Sequence, residues 1–169
     1  MLSARRILIC LFLCALPAIA SAQSLVYVVR HAERADGGAG ANTMNSAPAD
    51  PHLSAAGVAR AAKLANMLAD GGIKAIYVTD FKRTQETAAP LAARLHLRVD
   101  TIKSADSASL IASMKAHHQH DVVLVVGHSN TIPDIIKALG GPSIVIGDNE
   151  YDSVFVLVPG TGVMSRIRF

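Results

Sequence analysis

Cysteine is almost missing from this sequence: Cys10 and Cys14 are the only two in 169 residues, and both fall in the first 22. Those 22 residues read as a secretory signal. Arg5 and Arg6 make a basic start, and Ile7–Leu16 is an apolar run too short to span a bilayer comfortably and closed by Pro17. Ala20-Ser21-Ala22 then presents the small residues of a cleavage site, with the cut expected after Ala22. The expected location is periplasmic or secreted, with no membrane association once the signal is removed. The remaining chain, residues 23–169, has no cysteine, which excludes disulfides and thiol chemistry. It also has little charge to spare. The signal carries two of the 16 basic residues and none of the 13 acidic ones, so the net charge of +3 falls to +1. With no Lys/Arg cluster either, nucleic acid is excluded as a partner. There is no internal repeat. About 147 residues without a covalent staple must be held by burial, which is feasible for one domain of this size.

What is present is a pair of apolar runs with polar endings. Leu25–Arg34 begins as the continuous apolar stretch of a strand buried on both faces and ends in Arg30, His31, Glu33 and Arg34. Asp121–Asn130 repeats the design, with Val122–Val126 running into Gly127, His128, Ser129 and Asn130. A buried strand has no reason to end in ionisable side chains unless that end opens onto a site, and the carboxyl ends of strands are where open α/β sheets bind ligands.

The intervening chain alternates. Ala35–Pro51 has no period and reads as a loop long enough to cover the site. Leu53-Ser54 opens a helix, with Ser54 as N-cap, Leu53 as staple and an apolar face of Val58, Leu64, Met67 and Leu68, stopped at Gly71-Gly72. Ile73–Val78 is a second buried strand, followed by the polar turn Thr79–Thr84 and a helix to about Leu95 that Pro90 is expected to kink or break. His96–Ile102 reads as a strand nearer an edge, and Ser107–His118 as a helix. After the strand at 122–126, Thr131–Leu139 is a helix with Pro133 in its first turn. Tyr151–Val158 and Val163–Phe169 form a closing hairpin. Strands alternating with helices imply an α/β three-layer sandwich with a mainly parallel central sheet covered on both faces.

In such a sheet Arg30 and His31, Arg83 after the second strand, and His128 line up along one edge. Two arginines and two histidines make a cationic pocket. The planar fork of arginine matches the oxygens of a tetrahedral oxyanion, and a neutral imidazole nitrogen is a competent nucleophile. The chemistry this suggests is phosphoryl transfer through a covalent histidine intermediate, which demands mainly charge stabilisation.

Four segments in this order carry a resemblance. Arg30-His31-Ala32-Glu33, Leu53-Ser54-x-x-Gly57, Thr79-Asp80-Phe81-Lys82-Arg83-Thr84-x-x-Thr87-Ala88 and Gly127-His128-Ser129-Asn130 resemble the signature elements of the histidine phosphatase (phosphoglycerate mutase-like) superfamily. The resemblance implies a phosphoric monoester hydrolase that needs no metal or other cofactor and acts on a small phosphorylated substrate. His31 would be the nucleophile. Arg30, Arg83 and His128 would hold the phosphoryl oxygens, with backbone N–H groups near Ser129 and Asn130 adding to the anion site. A small phosphatase is implied rather than a mutase, because the large insertions of bigger members are missing. A non-catalytic phospho-ligand-binding protein with the same pocket and a phosphohistidine protein phosphatase are the alternatives.

Two features stay open. The acid that would protonate the leaving oxygen is either Asp106, just beyond a strand end, or Glu33, two residues from His31; a helix cap for Asp106 and a salt bridge to Arg34 for Glu33 are the competing roles. His117-His118-Gln119-His120 is either a metal-binding tract or a polar helix end.

Overall fold

The computed structural model describes residues 24–37 and 50–169. The expected signal, and residues 38–49 of the expected covering loop, lie outside the described residues. The chain forms β1 (Leu25–Arg30), α1 (Ala55–Leu68), β2 (Ile73–Thr79), α2 (Lys82–Leu95), β3 (Val99–Ile102), α3 (Ser107–His117), β4 (Val122–Gly127), α4 (Ile132–Ala138), β5 (Ser153–Leu157) and β6 (Met164–Arg168). The sheet order is β3-β2-β4-β1-β5-β6. The first four strands are mutually parallel, and the β5–β6 hairpin adds antiparallel beside β1. Among the described residues no helix is long and apolar enough to cross a membrane.

The layers follow from strand alternation. Val29, Ile76, Val78, Leu124, Val126 and Val154 face α1 and α2, where Leu64, Leu68, Ala88 and Leu91 meet them. Val26, Val28, Tyr77, Val123, Val125 and Phe155 face the opposite layer, formed by Leu110, Ile111 and Met114 of α3 and Ile132, Ile135 and Ile136 of α4. Both faces of the central strands are dry, as their unbroken Val/Ile/Leu runs require.

Three local expectations are corrected. Val58 and Met67 of α1 are exposed, 59% and 37% respectively; the buried stripe is Gly57, Ala61, Leu64, Ala65 and Leu68. These positions follow the three- and four-residue steps of a helix face, and small alanines let α1 lie close to its neighbours. Pro90 does not interrupt α2, which runs through it to a left-handed C-cap at His96 (φ 54°). The intrahelical bond that proline forfeits is offset by the buried face of Thr87, Ala88, Leu91 and Ala92 around it. The strand expected from His96 starts only at Val99, because His96 still belongs to the helix cap.

Ser54 caps α1 as the sequence implied, its hydroxyl accepting the Gly57 N–H at 3.1 Å. Gly57 itself is required by the turn after β1. The Glu33 carbonyl accepts the Ser54 N–H at 2.9 Å and would lie 2.2 Å from a Cβ at position 57. The first turn of α1 is thereby pressed against the segment that carries His31. Gly57→Ala is expected to destabilise the fold by about 1–3 kcal/mol, read as a fall in thermal midpoint, with the loss far smaller for the exposed Val58→Ala.

Candidate active site

Strand register brings the histidines together. β1 pairs with β4 in parallel from Leu25↔Val122 to Arg30↔Gly127, and the His31 N–H continues the ladder by donating to the Gly127 carbonyl at 2.9 Å. The two next residues, His31 and His128, therefore emerge side by side with ring centroids 5.3 Å apart. Arg83 enters from the first turn of α2, on the far side of β4, and its Nη2 donates to Nδ1 of His128 at 3.3 Å. Thr87, one turn further along α2, accepts the Ala32 N–H at 2.9 Å and donates to the Arg83 carbonyl at 2.6 Å. It joins the His31 turn to the helix that presents Arg83. These groups face a cleft of about 710 Å³ whose lining includes Arg30, His31, Arg34, Arg83, His128 and Tyr151.

The partners of each ring define its proton. A carbonyl oxygen only accepts, so the His31 Nδ1 that lies 2.8 Å from the Ala32 carbonyl carries the hydrogen, and Nε2 keeps its lone pair. At His128 the guanidinium of Arg83 only donates, so Nδ1 accepts and the proton sits on Nε2, 2.9 Å from the Thr79 hydroxyl. Burial pushes His31 down to about 3, against the Ala32 hydrogen bond and helped by His128, Arg83 and Arg30. Burial and then the Arg83 charge push His128 down to about 4. The site is thus a pair of neutral imidazoles among guanidinium cations.

Arg30 lines the cleft and is also fastened to its wall. Its Nη1 donates to the carbonyls of Gly147 at 3.0 Å, Asp148 at 2.7 Å and Glu150 at 3.2 Å, and its Nη2 donates to the Tyr151 hydroxyl at 3.3 Å. Its guanidinium lies 4.0 Å from the centre of the Tyr151 ring. It borders the cleft while fastening the segment ahead of β5. Ser129 and Asn130 both line the cleft at the turn into α4.

Neither proposed acid is at the cleft. Asp106 caps α3, accepting from the Ser109 N–H at 2.9 Å and the Ser109 hydroxyl at 2.6 Å. Glu33 points to α1, where both its oxygens take the Arg60 Nε–H at 2.8 and 2.9 Å; its ion partner is Arg60, not Arg34. Burial, the largest single influence, would raise the Glu33 carboxyl, but the Arg60 hydrogen bond, a backbone hydrogen bond and the Arg60 and Arg30 charges together hold the group below its ordinary value. Arg34 pairs with Asp36 instead. The one carboxylate among the described lining residues is Asp148, which the sequence reading missed along with Phe81, Asn149 and Tyr151. Arg34 stood in plain view beside His31; residues 148–151 carry no pattern linking them to a site more than a hundred positions earlier. In the histidine tract, His118 Nδ1 lies 2.8 Å from Asp121, and among the described residues no three His, Cys, Asp or Glu side chains are grouped to hold a metal ion.

A histidine whose value is depressed by folding is neutral in the native state while the unfolded chain takes up its proton, so its stabilising contribution is present above about pH 6.5 and is lost as pH falls toward about 4 for His128 and 3 for His31. In the free protein, histidine NMR signals assigned to His31 and His128 are expected to show no protonation from pH 8 down to 5. A midpoint near 6.5 for His31 would contradict the burial of its ring described above.

Residues 26–107 match the family model of the histidine phosphatase superfamily (branch 1), a span that includes Arg30, His31 and Arg83 and ends before His128. A Mycobacterium tuberculosis (strain H37Rv) protein described as uncharacterized is 54% identical over 50 residues, 30% of this chain and 25% of its own length. The match thus spans about a quarter of that relative. Among solved structures, the mycobacterial glucosyl-3-phosphoglycerate phosphatase complexed with VO3 superposes with a TM-score of 0.65 at 17% identity, covering 86% of this chain and 98% of that one. A phosphoserine phosphatase from Entamoeba histolytica, in complex with 3-phosphoglyceric acid, gives 0.62 at 14% identity over 86% and 96%. The protein histidine phosphatase SixA complexed with tungstate gives 0.60 at 18% over 85% and 94%. At such identities the structural likeness is one of fold, and it agrees with the family match, which places residues 26–107 in the histidine phosphatase superfamily.

Proposed function

We propose that this protein hydrolyses phosphomonoesters through a phosphohistidine formed on His31. The observation that carries the reading is the His31 ring itself: Nδ1–H is committed to the Ala32 carbonyl, which leaves the Nε2 lone pair as the free nucleophile beside Arg83 and His128. In the first step Nε2 attacks phosphorus and the bond to the leaving oxygen breaks. In the second, water attacks phosphorus, the P–N bond breaks with its electron pair returning to Nε2, and the proton that water sheds is balanced through solvent by the one the departed oxygen takes up. The arginines carry the charge of the transferred group, so the scheme calls for no metal ion. A phosphate dianion entering the site reverses the balance at His128. Two negative charges beside Nδ1 favour its protonation, and the resulting imidazolium donates to a phosphoryl oxygen.

The substrate is proposed to be a small phosphorylated molecule with a leaving group that needs little help. Asp106 and Glu33 are both engaged elsewhere, and the exposed Asp148 is the one carboxylate among the described residues that line the cleft. Phosphohistidine, whose imidazole leaves readily, belongs to the same class. The site of action is proposed to be outside the cytoplasm, on the strength of the signal-like residues 1–22.

His31→Ala is expected to abolish turnover of para-nitrophenyl phosphate and the acid-labile phosphate label left after brief exposure to substrate. Asp106→Asn is expected to keep kcat within about twofold, since this carboxylate caps α3 rather than facing the cleft and asparagine caps a helix about as well. Excess EDTA is expected to leave the wild-type rate unchanged. Full activity in the His31 variant would refute the scheme.

A further inference from the structure

A chain of hydroxyls behind His128 plays no part in the scheme above. Thr79 ends β2 and Thr84 lies in the first turn of α2, fully buried. The Thr84 hydroxyl lies 2.8 Å from the Phe81 carbonyl and 3.0 Å from the Thr79 carbonyl. Both oxygens only accept, and with the single Thr84 proton on either of them the Thr84 oxygen is left to accept. The Thr79 hydroxyl, 2.9 Å away, therefore donates to Thr84. Its own proton being committed, Thr79 offers His128 Nε2 a lone pair at 2.9 Å, and Nε2 must be the donor. The direction is imposed independently from the other side of the ring, where Arg83 donates to Nδ1.

We propose that Thr79 is a positioning residue for His128: its hydroxyl, oriented by Thr84, holds the ring proton on Nε2 and keeps Nδ1 aimed into the cleft beside Arg83. The catalytic consequence rests on the phosphatase reading; the positioning does not. A phosphoryl oxygen needs a donor. His128 supplies one when Nδ1 gains a proton while Nε2–H stays bonded to Thr79, so that both N–H groups of the imidazolium are satisfied. Two other rings flank it in T-shaped contacts, His31 at 5.3 Å and Phe81 at 5.3 Å with an interplanar angle of 85°. Those contacts restrict its tilt but do not distinguish its two nitrogens. Thr79 and Arg83 do.

The charged and titratable groups around the ring are few. Arg83 from α2, Arg30 and Arg34 from the β1 end and Asp80 beside Thr79 act on it electrostatically, and His31 is its ring neighbour. None of them is described bonding to Nε2, where the Thr79 hydroxyl is the partner.

The test compares Thr79→Val, Thr79→Ser and wild type by two readouts. Long-range 1H–15N spectra of histidine-labelled protein report the His128 tautomer without needing a substrate. The pH dependence of kcat/KM with para-nitrophenyl phosphate reports the consequence. The wild type is expected to hold the Nε2–H form and Thr79→Val a mixture of tautomers, with kcat/KM lowered about 10- to 100-fold; Thr79→Ser is expected to restore both. A wild-type ring protonated on Nδ1 overturns the proposal. So does Thr79→Val with the Nε2–H form intact, whatever its rate, since a rate loss alone would mark a merely structural role. If the valine variant does not fold, the wild-type tautomer and the serine variant still decide. If the wild type hydrolyses no phosphate ester, the functional reading fails while the spectra continue to test Thr79.

Discussion

The site depends on one run of backbone hydrogen bonds, the in-register parallel ladder between β1 and β4. Pairing Arg30 with Gly127 makes His31 and His128 neighbours by construction, two residues nearly a hundred positions apart. A slip of one residue would turn alternate side chains to the wrong layer and exchange the two cores. The valines that bury these strands on both faces therefore fix the register and, through it, the separation of the imidazoles. Packing and chemistry are set by the same residues.

The electrostatics of the cleft follow from how deeply its imidazoles are buried. Arginines crowd an opening where their charges repel, and each is held by a separate fastening: Arg34 by Asp36, Arg30 by main-chain carbonyls, Arg83 by the Phe81 face at 4.1 Å and the carboxylate of Asp50 at 3.9 Å. The imidazoles between them remain uncharged because burial and those same cations oppose protonation. An anion relieves the repulsion when it enters, so attraction to the ligand is prepared in advance of binding.

The architecture was legible in the sequence because its signals are local: unbroken apolar runs, Ser54 before a helix, paired glycines after one, and polar residues at the strand ends. His31, Arg83 and His128 were legible for the same reason. What escaped was decided by tertiary contacts. Val58 and Met67 have the right hydrophobicity but lie off the stripe that alanines occupy. Glu33 was weighed against its neighbour Arg34, whereas the fold offers Arg60 from another element. Asp106 looks like an acid at a strand end until its Ser109 partner shows it to be a cap. Arg30 lines the cleft, but what else holds it there was hidden. Its partners, 147–151, form an irregular segment with no periodicity to announce them.

That last arrangement has a consequence for how the cleft wall can diversify. Arg30 grips positions 147, 148 and 150 by their peptide oxygens, which every amino acid possesses. The anchoring is therefore blind to which side chains stand at Asp148 and Asn149. One border of the cavity can be rewritten residue by residue without loosening its attachment, a natural place for descendants of this scaffold to acquire new tastes.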